Sequence, residues 1–219
     1  MLEDSDGPAY RIATARLVLR CYTPSDAPAL QAAIDASLPE LVPWLPWARS
    51  EPLSLAARVE SLRQHRGRFD LGEEFVYGIF DRAAQSLIGG CALHVRGAGN
   101  AREVGYWIST RARGQGFATE AAGALVRVAF EIDGVERVEI HGDAENAASA
   151  RIAEKLGFTC DGTLRKRLVR SDGELGDDRV WSLFEHEYAR SAAAELEIEA
   201  FDALDRALRV RPRRRSAFR

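Results

Sequence analysis

The nonapeptide Arg111-Ala112-Arg113-Gly114-Gln115-Gly116-Phe117-Ala118-Thr119 joins two segments of opposite character. Ahead of it, Arg102–Ser109 (REVGYWIS) reads as a strand, and behind it Phe117–Ile132 repeats Ala118, Ala121, Leu125, Ala129 and Ile132 at helical spacing. Glycines between a strand and a helix let successive N–H groups turn toward one point, and the helix start adds partial positive charge. The result is an anion cradle suited to a pyrophosphate. Arg137–Gly142 (RVEIHG) is the next strand, so residues 102–142 form a strand–helix–strand crossover whose two strands are expected to be parallel neighbours. A dinucleotide-binding turn also begins G-x-G after a strand, but Thr119 stands where its third glycine belongs. The turn also lies late in the chain, in a single crossover rather than two wound halves.

Outward from the crossover, Arg16–Tyr22 reads as a strand, Thr23-Pro24-Ser25-Asp26 opens a helix carrying Ala27, Leu30, Ile34 and Leu38, and a second helix covers Leu53–Arg66. Between them Leu41–Trp47 (LVPWLPW) holds two prolines and cannot be regular helix. Glu74–Asp81 and Ser86–Val95 read as a hairpin ahead of the crossover. After it, Asn146–Leu156 is a helix with Asn146 as N-cap and Gly157 as its left-handed stop, followed by strands over Phe158–Val169 and Asp178–Phe184. This is one mixed α/β domain over residues 10–190, with 1–9 a flexible leader. Ala193, Leu196, Ala200, Leu204 and Ala207 predict an amphipathic helix over Ala192–Leu208, ending in an arginine-rich tail.

The 219 residues are enough for a real core. No apolar run approaches the ~18 residues of a membrane helix, and the opening MLEDSDGPAYR is too acidic and polar for a secretory signal. Three widely spaced cysteines (Cys21, Cys91, Cys160), without zinc-ligand spacing, fit reduced thiols. A cytoplasmic protein without membrane attachment or bound metal is therefore expected. The net charge of −3 divides unevenly: residues 206–219 carry seven arginines and no acid, leaving 23 cationic against 33 acidic side chains, a body at −10. An acidic body suits a cationic substrate better than nucleic acid.

Arg111-x-x-Gly114-x-Gly116 resembles the acyl-CoA signature of the GCN5-related N-acetyltransferase (GNAT) superfamily. Glu103-Val104-Gly105-Tyr106-Trp107-Ile108 is similar to the splayed strand before that loop, and Ala118-Thr119-Glu120-Ala121 to the start of the CoA helix. Asn146-x-x-Ser149, followed by Leu156-Gly157-Phe158, resembles the second CoA-side motif. Thr14-x-Arg16-Leu17-x-Leu19-Arg20 and Trp44-Leu45-Pro46-Trp47 resemble the N-terminal signature of the RimJ/RimL-like branch. The resemblance implies a mostly antiparallel central sheet with a parallel splayed pair at the acyl-CoA site. It also implies direct acetyl transfer from acetyl-CoA to a primary amine.

Such a transfer needs a neutral amine, a donor to the thioester carbonyl and a proton for the leaving thiolate. Glu103, where this branch carries an acid, is the expected base, directly or through a water; its bland reading is an edge-strand carboxylate paired with Arg102 or an arginine across the sheet. Glu139 and His141 share a face of the neighbouring strand and stand in reserve. By the resemblance, Ser149 returns a proton to the thiolate, Asn146 holds the pantetheine arm besides capping its helix, and Ile108 offers its backbone to pantetheine. Arg113, Gly114, Gln115, Gly116, Phe117, Ala118 and Thr119 hold the pyrophosphate through main-chain N–H groups, with the Thr119 hydroxyl assisting. Glu120 is expected to be structural, because a carboxylate aimed at phosphate repels it. Trp44 and Trp47 either line the acceptor pocket or anchor their loop.

The acceptor the resemblance points to is a protein N-terminal α-amine of the ribosomal-protein type. The alternatives are a small amine (a polyamine, aminoglycoside or peptide antibiotic), a bulkier acyl donor such as succinyl-CoA, and a catalytically silent CoA-binding module. The arginine tail reads as solvated or as a contact to ribosomal RNA, and the helix before it as packed on its own domain or on a second copy of a homodimer.

Overall fold

A computed structural model describes residues 7–83, 85–96 and 100–209. In chain order the elements are β1 (Arg11–Ala13), β2 (Leu17–Cys21), α1 (Ala27–Asp35), α2 (Leu38–Leu41), α3 (Leu55–Asp70), β3 (Glu74–Asp81), β4 (Leu87–Arg96) and β5 (Ala101–Ile108). There follow α4 (Phe117–Glu131), β6 (Arg137–Asp143), α5 (Ala147–Leu156), β7 (Thr159–Val169), β8 (Leu175–Phe184), α6 (Glu185–Tyr188) and β9 (Glu199–Phe201). The strands form one sheet in the order β7-β8-β6-β5-β4-β3-β2-β1-β9. Among the described residues only β5 and β6 run parallel, as the crossover requires.

Helix α4 is apolar around most of its circumference because it is covered on both sides. Ala121, Ala122, Ala124, Leu125, Val128 and Ala129 are buried, between β5 and β4 on one side and α5 with the 3-10 turn Ala192–Glu195 on the other. The alanines allow close approach to the sheet, and Leu125, fully buried, contributes on the order of 1.5–3 kcal/mol. A second apolar cluster, Tyr22, Ala27, Leu30, Ile34 and Leu62, sits under α1 and α3 with Trp107 packed against it. The expected non-helical segment Leu41–Trp47 begins with the last residue of α2; the residues after it fold as a turn and a 3-10 helix over Pro46–Ser50.

The expected helix over Ala192–Leu208 is not formed. The chain makes the 3-10 turn Ala192–Glu195, then extends so that Glu199–Phe201 pairs antiparallel with β1, Ile12 opposite Ala200. The apolar residues that mimic a helical stripe serve different elements: Ala193 and Ala194 lie under α4, Ala200 faces the sheet core, and Leu204 is 71% exposed. Pairing satisfies the free edge of β1, including Tyr10 N–H to the Phe201 carbonyl at 2.8 Å, and Arg127 on α4 donates to the Leu196 carbonyl. These tertiary partners outweigh the weak helical preference of the segment. The sheet therefore continues past residue 190, and this segment packs on its own domain. At the other end, Ala9 is already buried and its carbonyl accepts the Tyr77 hydroxyl at 2.9 Å. Residues 1–6 of the expected leader and 210–219 of the arginine tail lie outside the described residues.

Candidate active site

Strands β5 and β6 pair only through Ala101–Glu103 and Arg137–Glu139. Beyond that they part, and a cleft of about 1020 Å³ passes between Val104–Ile108 and Ile140–Asp143. One end of the cleft is the glycine turn. Gly114 and Gly116 hold φ of +75° and +81°, a left-handed conformation that disfavours any residue with a Cβ. Gly116 immediately precedes α4, and no side chain caps that helix, so its first N–H groups are free for a ligand. Arg113, Gly114, Gly116, Phe117, Ala118 and Thr119 line the cleft, together with Ile108 and Asn146. Arg111 and Gln115 do not; the Gln115 carbonyl instead accepts from Arg16 Nη1 at 2.9 Å.

Glu120 points away from the cradle, as its charge demands. Its carboxylate accepts Thr14 Oγ1 at 2.5 Å, Arg16 N–H at 3.1 Å and Arg16 Nε at 2.7 Å. Asn146 caps α5, its Oδ1 accepting Ser149 N–H at 3.1 Å. Gly157 closes that helix with φ of +89°.

Where the strands part, Tyr106 Oη and Ser149 Oγ lie 2.9 Å apart. Burial pushes the Tyr106 phenol up to about 12, so it stays a proton donor. Tyr106 is the site residue that motif reading missed. Its only sequence signal is alternation along β5, which puts it on the same side as Val104, facing α4 and α5 rather than the acidic face.

That other face carries the carboxylates. Glu103 sits between His94 of β4 and Glu139 of β6 in the register, and its Oε2 is 2.6 Å from Arg96 Nη2. The arginine across the sheet is thus real, and it neutralises Glu103 without removing it from the cleft. His141 is held by Asp178 at 2.9 Å and Glu139 at 3.3 Å. The hydrogen bond to Asp178 raises its pKa to about 9, against the opposing effect of burial and with help from the Glu103 charge. The ring is an imidazolium at neutral pH, which makes it a fixed cation rather than a reserve base. Glu139 is engaged by Arg137 at 2.8 Å and by His141, and it does not line the cleft.

Trp44 and Trp47 line the far end of the cleft, Trp47 edge-on to Trp107 with ring centroids 6.1 Å apart. Trp107 fits only because residue 90 is glycine: a Cβ there would come within 2.6 Å of the indole nitrogen. Of the six carboxylates lining the cleft, five have cationic partners among the described residues; Glu40 meets only the Thr110 hydroxyl, at 3.2 Å. Among the described residues, no group of three or more His, Cys, Asp or Glu could hold a metal ion, and no helix is long and apolar enough to cross a membrane. All three cysteines are free thiols, Cys21 and Cys91 buried and Cys160 exposed.

The family model for the acetyltransferase (GNAT) domain matches residues 16–159, which span the glycine turn, both parted strands and the Ser149 helix. The chain belongs to the GNAT acetyltransferase family. This acetyltransferase is 32% identical over 124 residues to a Bacillus subtilis protein named as a probable N-acetyltransferase, YjcK, covering 56% of this chain and 68% of that one. It is 28% identical over 185 residues to the Escherichia coli ribosomal protein uS5-alanine N-acetyltransferase, covering 82% and 93%. Mycobacterium smegmatis RimJ, solved in complex with CoA-disulfide, shares the fold with a TM-score of 0.73 at 23% identity, over 84% of this chain and 91% of that one. The protein is an acetyl-CoA-dependent N-acetyltransferase of the RimJ/RimL-like kind.

Proposed function

We propose that this acetyltransferase transfers the acetyl group to the α-amine of a protein N-terminus, by direct attack on the thioester. The carrying observation is one continuous cleft that joins the glycine turn, the Tyr106–Ser149 hydroxyl pair and the Glu103 carboxylate. The N–H groups of residues 113–119 hold the pyrophosphate, with the Thr119 hydroxyl beside them, and Ile108 and Asn146 hold the pantetheine arm. Glu103 takes the proton of the attacking amine, directly or through a water, and the Tyr106–Ser149 pair returns one to the thiolate. Arg96 and His141 place positive charge beside the Glu103 carboxylate. A weak base suffices for an α-amine, about a quarter neutral at pH 7.5, whereas a lysine is neutral in roughly one molecule in a thousand. That difference, with the similarity to a ribosomal-protein alanine N-acetyltransferase, supports the N-terminal acceptor.

A small polyamine is the second reading, favoured by the Glu40 carboxylate in the cleft, which has no cationic partner among the described residues. The deciding experiment incubates the purified protein and acetyl-CoA with N-terminal peptides, polyamines and aminoglycosides while free thiol release is followed. Turnover confined to peptide N-termini is expected, and selective acetylation of small amines overturns the reading. Tight CoA binding without turnover on any amine marks a binding module instead.

A further inference from the structure

We infer that Thr14 and Arg16, in the turn between β1 and β2, are positioning residues that hold the phosphate loop in its binding conformation before acetyl-CoA arrives. The inference rests on the assignment of residues 113–119 to the pyrophosphate. Neither residue lines the cleft, so they act through the loop and not on the ligand.

The contacts bracket the loop from behind. Arg16 donates from Nη1 to the Gln115 carbonyl at 2.9 Å and from Nε to Glu120 at 2.7 Å, with Nη2 2.5 Å from the same carboxylate. Its guanidinium lies 4.6 Å from the centre of the Phe117 ring. A Cβ on Gly116 would come within 3.5 Å of Nη2. Thr14 Oγ1 and Arg16 N–H both donate to Glu120 Oε1, at 2.5 and 3.1 Å. One side chain thus grips the loop at Gln115, at Phe117 and at Glu120, the last a side chain only 9% exposed.

Such a grip answers a specific need. The glycines that let N–H groups converge are also the residues with most backbone freedom to lose. A loop ordered anew at each binding event loses about tenfold in affinity per residue ordered. Arg16 also neutralises Glu120, which otherwise competes as an anion for the same helix N-terminus. The fork of donors matters as well as the charge, because Gln115 and Glu120 are reached in different directions. Losing Arg16 is therefore expected to be worse than losing the Glu120 charge, with a lysine in between.

The test is calorimetric titration of the full chain with CoA, alongside acetyl-CoA kinetics on an accepted amine. Arg16→Ala is expected to weaken CoA binding about 10- to 100-fold and to raise KM for acetyl-CoA in step, while kcat at saturation stays within about twofold. S-acetylpantetheine, which lacks the diphosphate, is expected to serve both proteins equally as donor. An unchanged CoA affinity, or an equal loss with the truncated donor, overturns the inference. If Arg16→Ala does not fold, Arg16→Lys and Glu120→Gln carry the test: each is expected to weaken CoA binding less than 10-fold but measurably, and wild-type affinity in both overturns the inference. Gly116→Val separates the two levels. If it weakens CoA binding and the Arg16 variants do not, only the positioning role falls; if neither does, the loop assignment falls with it.

Discussion

The charge state of His141 decides which group on the acidic face can accept a proton, and it is measurable through stability. Folding raises the imidazole from 6.5 to about 9, so the folded protein holds the proton more tightly than the unfolded chain. The resulting stabilisation is complete below pH ~6.5 and is lost as pH rises through about 9. Taken whole, a shift of that size corresponds to about 3 kcal/mol. The ring is 27% exposed, and solvent screening reduces the expected contribution to about 1–3 kcal/mol. Urea denaturation of the wild type and of His141→Gln at intervals from pH 6 to 10 isolates this contribution, because other groups titrating near pH 9 cancel in the difference. The variant is expected to be less stable by about 1–3 kcal/mol at pH 6, and the gap is expected to close by pH 10. A gap independent of pH, or an imidazole NMR titration centred near 6.5, would refute the argument and return His141 to the list of candidate bases.

The other tests bear on the loop and the reacting centre. Gly116→Val places a β-branched residue at φ +81°, at a cost of about 1–2 kcal/mol, and is expected to reduce CoA affinity about 5- to 30-fold by calorimetry; unchanged affinity shows that the turn does not carry the pyrophosphate. Glu103→Gln is expected to lower kcat/KM about 100-fold at pH 7, the low end for general acid–base catalysis, with recovery as rising pH neutralises the amine. Unchanged turnover removes Glu103 as the base. Tyr106→Phe is expected to lower kcat only about 2- to 5-fold, since a thiolate leaves readily and Ser149 remains. A double Tyr106→Phe, Ser149→Ala variant no slower than either single one would show that the pair does not deliver the proton.

The crossover was legible because its signals are local and agree with one another. Strand alternation in β5, two glycines, a helical stripe in α4 and a second strand admit one topology. Asn146 and Gly157 were legible for the same reason, since caps act within four residues. The C-terminal segment was not. Its stripe of alanines and leucines satisfies the helical period, but the decisive partner is the edge of β1, nearly 190 residues earlier. Nothing near Ala200 signals that pairing. Tyr106 was missed for a related reason: a tyrosine on an alternating strand reads as core until α5 is known to bring Ser149 against it.

Charge shows most clearly what a one-dimensional count loses. A body at −10 suggests a cleft that attracts cations, yet Glu51, Glu74, Glu103, Asp143 and Asp178 are each held by a cationic side chain: Arg58, Arg68, Arg96, Arg170 and His141. Pairing of this kind cancels most of the field an incoming amine meets at short range, while the body's surplus acts at distances where salt screens it. The preference for cationic acceptors inferred from composition therefore narrows to Glu40, beside Thr110 and near the start of the phosphate loop. One carboxylate without a cationic partner among the described residues attracts a single ammonium group, which an N-terminal α-amine and a polyamine both possess. On the proposed reading, acceptor choice then depends on what the rest of the molecule meets beyond that charge, along Trp44, Trp47 and Trp107, which line the same cleft. These side chains reward apolar area and shape, and a peptide supplies more of both than a polyamine does.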